Sequence, residues 1–518
     1  MATVLGPRSD GAHEGDDPSR SADLPAPTGP DPSEPATPSE EPEDRPRRGS
    51  GWPPSLAGVL GLAVAVWGLL IGIAPLVDNS FLTHLATGRL ILDQGIPSAD
   101  PYSFTAQGHP WVVQSWLASL LYGLADEMWG GTALRLLMGA LTMAIGACVW
   151  RLTRPAVTLL PRLAIAGVAM GVASEFWSER PLLFGLLFLA LLVLAANEEW
   201  DPRWAVPMMW VWVNVHGSFP LGLVAVALLA LGRRLDGEAP RVELRLLAWA
   251  SLGTILGVIG PLGLHALTFP IELLREQETL RNITEWKAPT FDTLGQRLFL
   301  LQVVAAVLLL VRRPTYRVAL PMVVFTAAAL LGLRNIPVAS LVLVAGMAVG
   351  ACGLGSLDGA RRSLTTGVAA VAVGLLALLV VVAQLGQENF DLDSYPVDAV
   401  IWLDDQSLLG TETRLVSRDY VGNYLEAIEG DDVRVFMDDR YDMFPSEISQ
   451  DYIQLVRGLD PGAVLERHDA GIVLWDREAP FGAWLEEADG WGVVYRDDDW
   501  LVACPSAGPG RPGQCAAP

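Results

Sequence analysis

The sequence has little cysteine and lysine, and it lacks the motifs with which proteins bind nucleotides. Its four cysteines are too few for a disulfide scaffold or a zinc cluster. Cys504 and Cys515 could still pair in an oxidising compartment, since only ten residues separate them. No Walker motif, dinucleotide fingerprint or glycine-rich phosphate loop is present. These absences argue against a nucleotide as the ligand.

Positive charge is scarce as well. The formal net charge is −23, and residues 385–518 alone contain 28 Asp or Glu against nine Arg. So acidic a segment is repelled by the phosphates of nucleic acids and by anionic lipid headgroups. We therefore expect no nucleic-acid partner and interpret the acidity first as a source of solubility.

Composition divides the chain into three regions. Residues 1–50 hold ten Pro and eleven Asp or Glu, and we predict a disordered cytoplasmic tail there. Residues 51–384 are predicted to be an α-helical polytopic membrane domain with a long first external loop, 78–114. In residues 385–518, β-rich segments alternate with helical ones, which predicts a small external α/β domain.

Eleven apolar runs predict about eleven transmembrane helices. They lie near 56–77, 131–150, 156–174, 181–197, 204–215, 217–232, 246–262, 297–311, 318–333, 336–354 and 364–384. Arg47 and Arg48 precede the first run, so the positive-inside rule places the N-terminus in the cytoplasm. An odd number of spans then places the C-terminal domain outside. This topology requires residues 111–129, which carry three Trp, to lie along the membrane surface.

Ionisable side chains collect in the loops of the predicted outer face. Such groups at a membrane are costly unless they are paired or hydrated, so they are functional candidates by default. The candidate catalytic carboxylates are Asp78, Glu175 and Glu179. The candidates for substrate binding are His84, Arg89, Arg180, Asn214, His216, His265, Arg281, Glu285, Lys287, Arg334 and Asn335. Arg or Lys can hold a phosphate, and a carboxylate can act as a base toward a hydroxyl.

Plainer roles remain open for several of these residues. Asp78 could cap the helix that follows it, and Arg89 could extend along the surface toward water. Glu175 and Glu179 share a helical face if the helix continues, yet Glu179 could simply pair with Arg180. A histidine at a helix end, such as His216, is usually structural.

Other candidates need a partner more urgently. Arg334 and Asn335 stand between two apolar runs, where a cation needs a partner such as an anionic ligand. Asp438-Asp439-Arg440 follows a predicted strand, and we interpret it as a solvated loop rather than as a metal or sugar site.

The order of several motifs resembles that of a known superfamily. The stretches are HLATGRLILDQGIPSADPYSFTAQGHPWVVQSWL, SERPLLFGLLFLALL, WVNVHGSFPLGL, GPLGLHALTFPIELL with ITEWKAP, RNIPVASL, VRVFMDDRYDMF and AGIVLWD. Together they resemble the GT-C membrane glycosyltransferases, and within them a bacterial multi-pass group related to protein O-mannosyltransferases and lipid A aminoarabinose transferases. The resemblance covers roughly residues 56–504.

The resemblance implies a transferase that moves a sugar from a polyprenyl-phosphate donor to an external acceptor at the cell membrane. Its catalytic acid corresponds to Asp78. The second acid of the group's motif is Ser80 here, and the paired Trp positions are Leu82 and Thr83. This departure argues against a metal held by the first loop, so we expect no cofactor. It also leaves a second function open, a lipid-linked glycan transporter or an inactive scaffold that binds the carrier.

Residues 263–296 are longer than a connector needs to be. Within them, PIELLREQETL can form a short amphipathic helix. One interpretation is a mobile lid in which Arg275, Arg281 or Lys287 meets phosphate and Glu272 or Glu285 positions the acceptor. The alternative is a solvated loop whose acids and bases pair with each other.

Overall fold

The computed structural model describes residues 52–273, 284–430 and 433–506. The predicted disordered tail, Arg275, Arg281 and Cys515 lie outside these residues. The helices before residue 390 are α1 (Leu56–Gly72), α2 (Asn79–Gln94), α3 (Trp116–Trp129), α4 (Gly131–Leu152), α5 (Leu159–Phe176), α6 (Leu182–Glu198), α7 (Ala205–Val215), α8 (Phe219–Leu235), α9 (Arg241–Leu256), α10 (His265–Leu273), α11 (Leu294–Arg312), α12 (Tyr316–Leu331), α13 (Ile336–Gly350) and α14 (Leu364–Leu385).

Each of the eleven predicted apolar runs overlaps one of these helices, namely α1, α4 to α9 and α11 to α14. By length and composition, five helical segments in the described part of the chain can cross a membrane: Gly131–Ala156, Leu159–Phe176, Leu294–Arg312, Leu333–Gly350 and Leu364–Leu385. Leu56–Gly72, Leu182–Glu198 and Tyr316–Leu331 are shorter apolar helices. The protein is therefore mostly helical with several membrane-type helices, and the number of eleven crossings stays a prediction.

The first apolar helix ends earlier than predicted. We expected it to reach residue 77, but α1 ends at Gly72. Pro75 lacks an N–H, and its ring would clash with the carbonyl one turn earlier, so it disfavours continuation of the helix. Beyond this point Leu76 pairs with the start of the C-terminal region: its N–H donates to the Asn389 carbonyl and its carbonyl accepts from Asp391, both at 2.9 Å.

The C-terminal region is the small α/β unit that the alternating segments predicted. Its strands are β1 (Arg414–Val416), β2 (Arg434–Val435), β3 (Ile472–Asp476), β4 (Trp491–Arg496) and β5 (Trp500–Pro505), in the order β2-β1-β3-β5-β4. The first three are parallel, and β5 runs antiparallel to β3 and β4. The helices are α15 (Val397–Asp405), α16 (Asp419–Glu429), α17 (Ser446–Arg457), α18 (Pro461–Arg467) and α19 (Pro480–Glu487).

Two apolar cores cover the two faces of this sheet. Successive side chains of a strand point to opposite faces, so Leu415 and Val416 enter different cores. Leu415 packs with residues of α15 and α16. Val416 packs with Trp475 and with residues of α17 to α19. Cys504 is buried in β5, and its pairing with Cys515 stays a prediction.

The first external loop is joined to this sheet. Tyr102 and Phe104 run beside β2, where the Val435 N–H donates to the Tyr102 carbonyl (3.1 Å) and the Phe104 N–H donates to the Val435 carbonyl (3.0 Å). The loop thereby covers an edge strand that would otherwise expose unpaired backbone groups. The C-terminal unit and the loop therefore lie on the same side of the helices, and which side of the membrane this is stays a prediction.

A buried arginine fixes the same contact. Arg440 pairs with Asp100 of the loop at 2.6 Å and with Asp438 at 2.5 Å, and its guanidinium lies 4.2 Å from the Trp111 ring centroid. Our interpretation of Asp438-Asp439-Arg440 as a solvated loop was wrong, because Asp438 is fully buried and Arg440 nearly so. Asp100 was not among the candidate residues, and its carboxylate makes burial of that arginine tolerable.

Candidate active site

Asp78 and Arg180 form the centre of the site. Asp78 caps α2, where its Oδ1 accepts from the Ser80 N–H at 3.0 Å. Its Oδ2 pairs with Arg180 Nε at 2.7 Å, and the Asp78 side chain is only 9% exposed. The Asp78 N–H also donates to Glu179 Oε2 at 3.3 Å. The capping role and the partner role of Asp78 thus coexist, and they tie the first loop to the turn before α6.

The second part of the site comes from the segment before α11. Glu285, in the 3₁₀ turn Thr284–Trp286, forms an ion pair with Arg180 Nη1. The neighbouring Trp286 stacks on Arg334, whose guanidinium carbon lies 4.3 Å from the ring centroid. Within the described part of the chain, the half-buried Arg334 has no hydrogen bond and no carboxylate at ion-pair distance. One arginine is therefore paired twice, and a second one nearby has only an aromatic partner.

The third part is contributed by the C-terminal unit. The Asp439 carboxylate accepts from the Ser80 hydroxyl and, at 3.3 Å, from Asn79 Nδ2, both in the first turn of α2. Asn423 of α16 locks this contact: its Oδ1 accepts from the Asp439 N–H and its Nδ2 donates to the Asn79 carbonyl, each at 3.1 Å. Ser80 therefore touches Asp78 with its backbone and Asp439 with its side chain.

Burial raises the pKa of two of these carboxyl groups to near neutral pH. The pKa of Glu179 is raised to about 7, mainly by burial and further by the Asp78 charge. The pKa of Asp439 is also raised to about 7, again mainly by burial, and its hydrogen bond with Ser80 and the charge of Arg180 oppose the rise. A general base works best when its pKa lies near the working pH, so both groups suit proton transfer.

Two predicted histidines lie near this centre. The pKa of His84 is lowered to about 4, mainly by burial, so it is neutral at pH 7, and its Nδ1 lies 3.1 Å from the Ser119 hydroxyl. His216 accepts from the Ser218 N–H through Nδ1 at 3.2 Å. A neutral imidazole can hydrogen-bond a sugar hydroxyl, but it adds no charge for a phosphate.

Other predicted residues are placed elsewhere. Glu175 accepts from the Gly295 N–H at 2.6 Å and from Thr293, and so caps α11. Arg89 pairs with Asp126 at 2.7 Å. These two residues do not join the group around Asp78.

The remaining candidates mostly serve local structure. Asn214 is buried and bonds Trp116 Nε1 (2.9 Å) and the Trp210 carbonyl (2.9 Å). Asn335 donates to the Ala328 carbonyl at 3.0 Å. His265 begins α10 and Lys287 follows Trp286, and both are exposed. Arg281 lies outside the described residues.

Asp439 and Ser80 were not among the candidate site residues, although both contact this group. A usable signal was present, because an acidic pair follows a strand of the parallel part of the sheet, and ligands of such sheets lie beyond the carboxyl ends of the strands. No group of three or more His, Cys, Asp or Glu in the described ranges is arranged to hold a metal ion. Arg180 is instead the cation among these carboxylates.

Comparison with known proteins gives likenesses in structure only. No family model and no curated protein sequence matches the chain. The archaeal oligosaccharyltransferase AglB from Archaeoglobus fulgidus, solved with an inhibitory peptide and a dolichol-phosphate, is similar at 12% identity and TM-score 0.48, over 81% of this chain and 69% of that one. The arabinofuranosyltransferase AftD from Mycobacteria is similar at 14% identity and TM-score 0.45, over 87% of this chain and 42% of AftD.

Proposed function

We propose that this chain is a GT-C-type glycosyltransferase that moves a sugar from a polyprenyl-phosphate donor to an acceptor at the outer membrane face. One observation carries the proposal. Beside the start of α6, Arg180 is held by Asp78 and Glu285, and Arg334 lies next to this group on Trp286 without a carboxylate of its own. A binding site for a lipid-phosphate sugar requires two neighbouring cations, carboxylates and an aromatic ring.

Arg334 and Arg180 are the groups proposed to bind the phosphate. A partly buried guanidinium without a counter-ion is unfavourable, and an anionic ligand removes that cost. Guanidinium groups suit this role because they donate two parallel hydrogen bonds to phosphate oxygens. Glu285 is the more exposed partner of Arg180, at 40% against 9% for Asp78. We therefore expect the incoming phosphate to displace Glu285 and leave the Asp78 pair intact.

Asp78 is proposed to position Arg180. The sequence made Asp78 the choice for the base, but both of its oxygens are engaged, one by the Ser80 N–H and one by Arg180 Nε. A base needs an oxygen that is free to accept a proton from the acceptor. In the transfer itself, the acceptor oxygen bonds to the anomeric carbon, the bond from that carbon to the phosphate oxygen breaks, and the phosphate leaves as an anion beside the two arginines.

The segment that carries Glu285 is proposed to close over the donor, as the sequence suggested for residues 263–296. The Leu333 N–H donates to the Lys287 carbonyl at 2.9 Å, so this segment and the turn that carries Arg334 are already joined. Closure would exclude water from the phosphate and strengthen its ion pairs.

The outer face is tested by a reporter fused after residue 390. The C-terminal unit packs against the first loop, so one fusion reports the side of both. We expect an enzymatic reporter that works only outside the cytoplasm to be active. A reporter that is active only in the cytoplasm would contradict the proposed face.

The activity is tested with the full chain in proteoliposomes that contain a panel of polyprenyl-phosphate monosaccharides. A cell-envelope extract supplies acceptors, and the released polyprenyl phosphate is measured. We expect release from at least one donor and loss of release in Arg180→Gln, while Asp393→Asn, which alters an exposed acid, behaves as wild type. Tight binding of polyprenyl phosphate without release from any donor would favour the inactive scaffold. Movement of the intact lipid between leaflets would favour the transporter.

A further inference from the structure

We infer that Asp439, from the C-terminal α/β unit, is the carboxylate that takes the proton of the acceptor. This inference rests on the proposed transfer reaction. It assigns the acidic C-terminal unit a direct part in the chemistry, beyond solubility.

The contacts of Asp439 leave one of its oxygens available. Oδ2 accepts both hydrogen bonds from the first turn of α2, from Asn79 and from Ser80. Oδ1 has no hydrogen bond within the part of the chain that the structure describes, and the side chain is half-buried rather than sealed. The carboxylate is thus fixed in place by one oxygen and can accept a proton with the other, as a positioned base must.

The position is adjacent to Asp78 and Arg180. Ser80 spans the gap, with its N–H on Asp78 Oδ1 and its hydroxyl on Asp439 Oδ2. Asn423 holds the Asp439 backbone and the Asn79 backbone together, so the two halves of the site cannot separate without breaking its bond to Asn79 and the bonds of Asp439 to α2. Catalytic geometry depends on such support, because small displacements of a reacting group are expensive.

The neighbouring carboxylates are less suited to the same task. Asp78 has both oxygens engaged, and Glu285 is an ion-pair partner of Arg180. Glu179 accepts from the Asp78 backbone at 3.3 Å, which makes it a tie between the turn before α6 and the first loop. Among these four, Asp439 alone comes from the C-terminal unit, and within the described residues its Oδ1 has no hydrogen bond while its Oδ2 holds it in place.

In the inferred step, the acceptor hydroxyl gives its proton to Asp439 Oδ1 as the acceptor oxygen bonds to the anomeric carbon. The bond from that carbon to the donor phosphate breaks, and its electron pair stays on the phosphate, whose charge is met by Arg180 and Arg334. The protonated Asp439 afterwards returns the proton to water. The step needs no oxidant, reductant or further reactant.

The charged surroundings of Asp439 set the expected pH dependence. Asp438 lies beside it in the same loop, Asp419 faces it from α16 and Arg180 from the turn before α6, and the acidic neighbours raise its pKa while the arginine and the Ser80 bond lower it. Asp78 lies on the other side of Ser80 from Asp439. The charge of Asp439 also raises the pKa of the hydroxyls of Tyr395 and Tyr441. A base must be deprotonated, so transfer should be slow below pH 7 and should rise through the Asp439 pKa of about 7.

The test measures the pH profile of donor turnover for the full-length protein in proteoliposomes, with the donor that gives release in the panel. For Asp439→Asn we expect a fall of roughly 10²- to 10⁴-fold, the contribution of a general base. The rise near pH 7 should disappear in this variant, and its affinity for polyprenyl phosphate should remain that of the wild type. Ser80→Ala removes the bond that lowers the Asp439 pKa, so its rise should move to higher pH.

Two variants separate this inference from simpler explanations. Glu179 is the other carboxyl group whose pKa is raised to about 7, so it could also cause a rise in turnover there. In Glu179→Gln we expect this rise to keep its wild-type midpoint. If Glu179→Gln abolishes the rise and Asp439→Asn keeps it, the base is Glu179 and the inference is overturned. If Asp439→Asn does not fold, an unmoved midpoint in Ser80→Ala overturns it equally. Failure of the wild type to bind polyprenyl phosphate or to turn over any donor would instead refute the proposed function.

Discussion

Two groups of arginine and carboxylate side chains lie at the two ends of α6, and they are built in opposite ways. At the C-terminal end, the buried Glu243 is shared by Arg233 (2.8 Å) and Arg317 (2.9 Å), and Arg317 also donates to the Ala196 carbonyl (3.0 Å). At the N-terminal end, Arg180 is shared by Asp78 and Glu285, and further carboxylates surround it. Two cations serve one acid at one end, and several acids surround one cation at the other.

The difference indicates that the Glu243 group stabilises helix packing, whereas the Arg180 group is a candidate binding site. Around Glu243, a single acid joins α8, α9 and the start of α12, and its arginines have protein partners. Beside Arg180, the partly buried Arg334 has only a Trp ring as its partner among the described residues, whereas both arginines beside Glu243 are paired with an acid. A folded protein retains a partly buried cation without a counter-ion mainly where the cation serves function, because elsewhere it only reduces stability.

Among the residues of the two arginine groups, the largest effect is expected from Asp78→Ala. This change removes the partner that orients Arg180 and the cap of α2, and we expect transfer to fall by roughly 10²- to 10³-fold, as when one preorganised polar group of a reaction site is lost. Insertion into the membrane should be normal. The measurement is release of polyprenyl phosphate per mole of inserted protein, and turnover like that of the wild type would remove Asp78 from the mechanism.

Glu243→Gln should have the opposite signature. Two partly buried arginines would lose their acid, and breaking a buried pair costs about 3–5 kcal/mol of folding stability. We therefore expect a clearly lower Tm in detergent, with the Kd for polyprenyl phosphate unchanged. A weakened Kd at unchanged Tm would place the ligand at the wrong end of α6.

Arg334→Gln should weaken binding of polyprenyl phosphate about tenfold, the value of one hydrogen bond between charged groups. Its Tm should hardly change, because Arg334 has no acidic partner to leave unpaired in the described chain. Arg317→Gln is the matched control at the other end, and it should lower Tm without weakening the ligand. Equal Kd values for wild type and Arg334→Gln would contradict our assignment of the phosphate.

The smallest effect is expected from Lys287→Ala. Lys287 is exposed, so any attraction to the phosphate acts through water, and we expect a loss in affinity of less than about fivefold. This loss should vanish at high salt, where exposed charges are screened. A larger loss that persists in salt would show that the segment closes further over the donor than the structure has it.

Much of the fold was readable from the sequence, because the bilayer and the sheet both impose simple periodicity. Each of the eleven apolar runs overlaps a helix, and the five strands lie in residues 385–518, where β-rich segments were predicted. The end of α1 was misjudged because the apolar composition continues past Pro75. Composition predicts which residues are buried, whereas α1 ends because the backbone of Pro75 disfavours a helix.

The site was only half readable. Asp78, Arg180 and Glu285 were named as candidates because charges are conspicuous next to apolar runs, and the structure brings the three together. Asp439 was misjudged because it lies about 360 residues from Ser80 in sequence, and the next residue, Arg440, joins the same loop to Asp100. Contacts between distant segments leave no periodic signal, so Glu175 and Asn214 looked equally promising, although Glu175 caps α11 and Asn214 joins α7 to Trp116 of α3.

The proposal that the lipid phosphate binds beside Arg180 and Arg334 is tested most sharply by locating the bound lipid. A polyprenyl phosphate with a photoreactive diazirine in its first isoprene unit can be crosslinked to the full-length protein in a bilayer, and the labelled peptides identified by mass spectrometry. We predict label in the segments that carry Arg180, Trp286 and Arg334, and loss of that label when unmodified polyprenyl phosphate competes. Label centred on Arg233 and Arg317, or label that competitor does not reduce, would contradict it.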